Sequence, residues 1–137
     1  MTSITNHLQV PNHFAQDSKL AGVFNELDDN LIRQISEDSI RPKPLLVCSG
    51  GTSTQCAGEN QWTLDLRDNY QQINVDAIKK EVEIGGGVKM FELINKLSKS
   101  NLSFPIGLSS QVGVGYILTG GISPLSRRYG LAIDNMD

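Results

Sequence analysis

The stretch FPIGLSSQVGVGYILTGGISPLSRRYG, from Phe104 to Gly130, sets the tightest limit on what this chain can fold into. Glycines at 107, 113, 115, 120 and 121, with prolines at 105 and 124, forbid a long helix or strand. Ile106, Val112, Val114, Ile117 and Leu118 make the same stretch too apolar for a linker, so it must pack against other parts of the chain. An irregular, glycine-built segment laid on a regular scaffold is the expected plan.

The scaffold is legible upstream. Asp28 or Asp29 can cap a short helix that places Leu31, Ile32 and Ile35 on one face and ends at Arg41-Pro42-Lys43-Pro44. A strand is expected over residues 45–48, and Trp62-Thr63-Leu64-Asp65-Leu66 alternates as a half-buried strand does, closed by Arg67-Asp68-Asn69. Short strands follow at 73–75 and 80–84, the second running into Gly85-Gly86-Gly87. Met90, Phe91, Leu93, Ile94 and Leu97 then recur at helical spacing, with Lys96 and Lys99 in the last turn, where the helix dipole favours cations. The expected class is α+β, a small mixed sheet flanked by helices. Residues 1–22, polar and aperiodic, read as an arm; residues 23–103 form a first subdomain; residues 104–137 begin a second, incomplete one.

Composition excludes several functions. A net charge of -3, with no Lys/Arg cluster among aromatics, gives nucleic acid nothing to bind. The first residues carry no Lys or Arg before Lys19 and no sustained apolar run, so neither a secretory signal nor a membrane span is expected and a cytoplasmic location is. Cys48 and Cys56, the only cysteines, have no nearby histidine and read as free thiols, Cys48 as a small buried hydrophobe. Asp134 and Asp137 are too isolated for a metal, and none is expected. His7 and His13 both fall in the arm, and no serine or cysteine sits in a nucleophile elbow, so hydrolytic chemistry has no support.

The glycine loops remain. Ser49-Gly50-Gly51-Thr52-Ser53-Thr54 follows a strand but lacks the lysine of a P-loop, and neither Gly85-Gly86-Gly87 nor Gly113-Val114-Gly115 completes a dinucleotide fingerprint. Two readings stay open for the first loop. It is an anion nest, in which successive N–H groups converge and hydroxyls add donors for diphosphate oxygens, or it is a tight turn whose hydroxyls satisfy their own backbone. Gly113-Val114-Gly115-Tyr116 with Thr119-Gly120-Gly121 either admits a planar ligand close to the backbone or is ordinary turn chemistry. Arg127 and Arg128 either pair with an acidic group or stay in solvent.

Taken in order, Ser49-Gly50-Gly51-Thr52-Ser53, Leu64-Asp65-Leu66, Val82-Glu83-Ile84-Gly85-Gly86-Gly87, Phe104-Pro105-Ile106-Gly107, Val112 to Gly121, and Ser126-Arg127-Arg128-Tyr129-Gly130-Leu131-Ala132-Ile133-Asp134-Asn135-Met136 form a series. It resembles the FAD-binding (PCMH-type) domain of the vanillyl-alcohol oxidase / p-cresol methylhydroxylase flavoproteins, which include the berberine-bridge-enzyme-like oxidases. The resemblance runs from about Val23 to Asp137. It implies that Ser49, Gly50, Gly51, Thr52 and Ser53 wrap the FAD diphosphate, and that Gly107, Ser109, Ser110, Gly113, Gly115, Tyr116, Thr119 and Gly121 lie along the flavin and its ribityl-diphosphate chain. Where many members carry a histidine bonded to the flavin, Thr52 stands here, and where bicovalent members carry a cysteine, Ser109 does. FAD is therefore expected to be held without a covalent bond.

The implied activity is that of a flavin-dependent oxidoreductase, with the small-molecule substrate met by segments that in the family follow the last motif. A rival expectation is a non-catalytic remnant that pairs with a second copy through uncovered sheet edge and core.

Overall fold

The computed structural model describes residues 22–37 and 43–137. The expected arm, with His7 and His13, and the Arg41-Pro42 helix stop lie outside them, apart from the backbone of Gly22.

Three short strands, β1 (Gly22–Phe24), β2 (Leu45–Cys48) and β3 (Trp62–Asp65), form an all-parallel sheet in the order β1-β3-β2. Val23 and Leu46 both stand opposite Thr63, and Cys48 stands opposite Asp65. The alternation of β3 predicts one wet face, but all four of its residues are buried. A strand central to a parallel sheet is covered on both faces, and that position overrides the pattern. β1 itself is a strand the sequence reading did not contain; three residues are too few to show a period.

Helix α1 (Asp29–Glu37) follows β1, capped by Asp28, whose Oδ1 accepts the Leu31 N–H at 2.9 Å. Leu31 is its buried anchor and joins Phe24, Trp62 and Leu64 in one hydrophobic cluster. Ile32 faces solvent.

Strands β4 (Ile73–Asp76) and β5 (Glu81–Ile84) make a separate antiparallel hairpin, so the α+β expectation holds with the strands divided between two small sheets. Asp76 Oδ1 closes the turn by accepting the Ile78 and Lys79 N–H groups, each at 3.0 Å. Helix α2 (Met90–Ser98) starts with Glu92 reaching back to the Lys89 N–H (2.7 Å). It ends where Asn101 turns left-handed and the Leu102 N–H returns to the Leu97 carbonyl at 3.0 Å.

The glycine-rich tail does pack, and against α2. It contains a 3₁₀ turn (Val114–Thr119), helix α3 (Ser126–Tyr129) and a second 3₁₀ turn (Ile133–Asn135). Val114, Ile117 and Ala132 close a core with Val88, Met90, Leu93 and Leu97. The tail thus shares its core with α2. Among the described residues no helix is long and apolar enough to cross a membrane.

Candidate cofactor-binding site

Parallel strands end on the same side, and the chain leaving β2 at Cys48 emerges there as the first glycine loop. That loop crosses the tail. A Cβ on Gly50 would lie 2.2 Å from the Gly113 N, and one on Gly113 would lie 2.3 Å from the Gly50 N, so the two backbones touch where neither residue can carry a side chain. Ser49 locks the crossing: its hydroxyl donates to the Gly86 carbonyl and accepts the Gly115 N–H at 3.1 Å. Residues 37 and 66 positions away in sequence are tied to Ser49 by this one side chain. Of the residues named from sequence, Ser49, Gly50, Gly113 and Gly115 are therefore brought together, and what they visibly do is join two segments.

Beyond the crossing, the loop keeps its donors. None of the five successive N–H groups from Gly50 to Thr54 meets an acceptor among the described residues. Gly51 takes φ +69°, which turns the chain so that neighbouring N–H groups converge, and Thr52 and Ser53 are exposed. Ser53 uses its oxygen as an acceptor for the Gln55 N–H (3.1 Å) and keeps its own proton to donate. No carboxylate falls within residues 49–55.

Arg67, read from sequence only as a turn former, completes the surroundings. Its Nε and Nη2 fork onto buried Asp65 (Nε to Oδ1 2.9 Å, Nη2 to Oδ2 2.6 Å). That hydrogen bond, ahead of the opposing cost of burial, holds the guanidinium protonated well above its ordinary range. The remaining Nη1 packs on Gly51, 2.8 Å from where a Cβ would stand. The spacing Asp-x-Arg at the end of a buried strand was the available signal. Five open amides, an exposed pair of hydroxyls, an arginine at the rim paired to Asp65, and a loop that itself carries no acid are groups that suit an anionic diphosphate.

None of the other named residues is hydrogen-bonded to this loop among the described residues. Gly107 lines a cleft of about 250 Å³ with Ile94, Leu97, Phe104 and Leu125. Ser109 and Ser110 are exposed beside it in sequence. Tyr116 is half exposed, and the Thr119 hydroxyl donates to the Tyr116 carbonyl at 2.7 Å. Gly121 is buried, with the space for a Cβ taken by Ala132 at 2.5 Å, so it serves the tail's own packing. Arg127 and Arg128 are exposed, Arg128 over the Tyr129 ring at 5.3 Å.

Residues 30–137 match the protein family described as FAD binding domain, and the chain belongs to that family. It is 36% identical over 98 residues to the FAD-linked oxidoreductase nodO of Hypoxylon pulicicidum, a match covering 66% of this chain and 20% of that protein. With (R)-6-hydroxynicotine oxidase of Paenarthrobacter nicotinovorans it shares 38% identity over 74 residues, 53% of this chain and 16% of the relative. The crystal structure of 6-hydroxy-D-nicotine oxidase from Arthrobacter nicotinovorans superposes with a TM-score of 0.68 at 30% identity, over 75% of this chain and 22% of that one. The chain thus spans about a fifth of the length of these relatives. The resemblance to PCMH-type, berberine-bridge-enzyme-like flavoproteins, the α+β class and FAD as cofactor all stand.

Proposed function

We propose that this chain is the part of a flavin-dependent oxidoreductase that holds FAD without a covalent bond, with the diphosphate seated on the N–H groups of residues 50–54. The carrying observation is that run of five unpartnered amides beside Arg67, in a loop with no acid. Thr52 and Ser53 add hydroxyl donors. Gly50, Gly113 and Ser49 act by fixing the loop's position, and the stretch from Gly107 to Tyr116, which carries Ser109 and Ser110, is the face along which the flavin end of the cofactor lies.

Bound FAD supplies hydride acceptance at flavin N5, and an alcohol, sugar or amine carbon is the donor class this reading expects, brought to the flavin by residues outside this chain. What these residues contribute is binding and orientation. A rigid crossing at Gly50 and Gly113 keeps the donor loop in one geometry before the cofactor arrives, which lowers the ordering cost of binding. A cytoplasmic location belongs to the same reading, and cell fractionation tests it.

The test is to incubate the purified chain with excess FAD, desalt it, and scan the flavin absorption bands. Retained flavin released intact by acid precipitation supports non-covalent binding. A folded chain that retains none, and whose circular dichroism is native, defeats the reading that these residues suffice.

A second reading has its own observation. Leu108, Leu118 and Ile122 are 91%, 62% and 71% exposed on the tail, apolar side chains that a second copy of the chain could cover. A dimer by light scattering that lacks flavin affinity favours this self-associating module over the cofactor reading.

A further inference from the structure

The buried carboxylate at the end of β3 spends its hydrogen bonds on a single residue. Asp65, 3% exposed, accepts the Arg67 backbone N–H and Nε at Oδ1 (3.1 and 2.9 Å) and Nε and Nη2 at Oδ2 (3.1 and 2.6 Å). The Gln71 side chain donates to the Arg67 carbonyl, so the arginine is fixed along its backbone as well as its guanidinium. Partners two residues apart join no distant segments, and apolar side chains of similar volume often stabilise a fold as well as a buried ion pair does. What the pair does is aim. With Nε and Nη2 taken, Nη1 is left at the first glycine loop, 2.8 Å from where a Cβ on Gly51 would stand, and it meets no acceptor among the described residues. Strand register brings it there: Cys48 stands opposite Asp65, and the Cys48 carbonyl accepts the Leu66 N–H at 2.9 Å, so the chain leaving β3 starts beside the chain leaving β2. The Arg67 side chain keeps 21% of its surface exposed, which leaves it open to a ligand.

We propose, resting on the reading of residues 50–54 as the diphosphate seat, that Arg67 Nη1 donates a charge-assisted hydrogen bond to a phosphate oxygen held there and that Asp65 is its positioning residue. Asp65 touches no ligand atom. Its carboxylate takes the Nε and Nη2 edge of the guanidinium while Nη1 faces Gly51, so the pair, neutral in sum, presents its positive end to the loop. A long side chain would otherwise lose its freedom only when the anion arrives; Asp65 has removed that freedom beforehand.

The charge of Asp65 and its positioning role predict opposite signs. By charge alone, Asp65→Asn removes a negative group beside an anion site and tightens binding. As the loss of a positioning residue, the same change frees the guanidinium and weakens binding. FAD binding is followed by fluorescence titration and inorganic pyrophosphate binding by calorimetry, on chains shown to be folded by circular dichroism. Asp65→Asn is expected to weaken both by about threefold or more. The double variant Asp65→Asn/Arg67→Gln keeps the net charge and buries no unpaired one, and it is expected to weaken both at least about tenfold, the loss of one charge-assisted hydrogen bond. Added to Arg67→Gln, Asp65→Asn is expected to cost no further affinity, whereas a merely structural carboxylate would lower affinity whichever residue stands at 67.

Arg67→Lys keeps the cation and loses the fork, so it is expected to bind pyrophosphate nearly as weakly as the double variant. Where a single variant does not fold, the double variant and Arg67→Lys decide. Asp65→Asn or Arg67→Lys binding as tightly as the unaltered chain would overturn the positioning role. A double variant with undiminished affinity for both ligands would overturn the contact and leave the loop as the diphosphate seat. An unaltered chain that binds pyrophosphate but not FAD, with pyrophosphate lost in the double variant, upholds the contact and defeats the cofactor reading; one that binds neither defeats both.

Discussion

Two halves of this molecule meet at the Gly50–Gly113 crossing, and they are stabilised by different means. The half built on the parallel sheet buries Phe24, Leu31, Trp62 and Leu64 as its cluster, and leaves the Trp62 indole N–H and the Thr63 hydroxyl buried without partners. The half built on α2 and the tail closes seven apolar residues around that helix, with Ile73, Val75, Val82 and Ile84 of the hairpin packed against them. The first half holds its loop by backbone contact and one serine; the second is held by side-chain burial. A stable core in one half lets the other carry a loop whose amides wait for a ligand, since each open donor costs stability until it is met.

Forcing the halves apart is expected to have the largest effect. Gly113→Val places a Cβ 2.3 Å from the Gly50 N and 2.5 Å from its Cα, and neither backbone can yield without parting the loops. The cost should exceed about 3 kcal/mol, read as a collapse of the urea midpoint. A midpoint close to that of the unaltered chain would mean the crossing does not join the halves. Leu93→Ala strikes the tail half alone. Leu93 is fully buried in the seven-residue cluster, and its truncation should cost about 3 kcal/mol. Flavin retention by the fraction that stays folded should survive, because Leu93 touches none of the amides from Gly50 to Thr54. If retention disappears with a normal far-ultraviolet spectrum, the two halves are coupled more tightly than this comparison allows.

The two halves also differed in how well they could be read from sequence. The regular elements β2, β4, β5 and α2 were legible because their periods and punctuation are local: Leu45–Cys48 before a glycine pair, Met90 to Leu97 before Asn101. β1 is three residues long and owes its existence to pairing with β3, a contact between Val23 and Thr63 that no local pattern records. At the site, the loop over residues 49–53 could be read from sequence as an anion nest or as a tight turn, and local pattern does not choose between them. The glycines were legible as glycines but not in their use: Gly50, Gly113 and Gly121 are required by another segment of this chain, as a close approach to a ligand would also require them. Arg67 was missed because its role comes from buried Asp65 and from Gly51, and only the folded chain puts the three together.

Gly51→Ala tests the donor loop without opening the crossing. The residue sits at φ +69°, which costs a non-glycine residue about 1–2 kcal/mol. Its Cβ would also press on Arg67 Nη1 at 2.8 Å, the movable end of a long side chain. Stability should therefore fall by little more than that cost, while FAD affinity falls at least about tenfold, since one turned amide in a nest of five is displaced. Unchanged affinity by fluorescence titration would remove the loop from the site. Ser49→Ala should act more gently on stability, by about 1 kcal/mol, because it removes one hydroxyl that bridges the Gly86 carbonyl and the Gly115 N–H. An effect no larger than experimental error would show that the two glycines hold the crossing unaided.

The smallest expected effect lies in the pH dependence of the loop half. Burial first, and the Asp65 carboxylate second, raise the Cys48 thiol from 9.0 to about 12, with Arg67 opposing and Cys56 adding to the rise. Between those two values the unfolded chain has released this proton and the folded chain has kept it. The unfolded state then binds fewer protons, so unfolding becomes easier as pH rises. The stabilisation is whole below pH 9 and is lost on the way to pH 12. Tyrosines and lysines titrate in the same window, so the observable is a difference: under reducing conditions Cys48→Ala should start from a lower urea midpoint but lose it less steeply with pH than the unaltered chain. The α2 half carries no cysteine and offers no such slope. Parallel pH profiles would mean that the Cys48 thiol is as well solvated in the folded loop half as in the unfolded chain, and that the end of β2 is open to water where the contrast between the halves requires it to be closed.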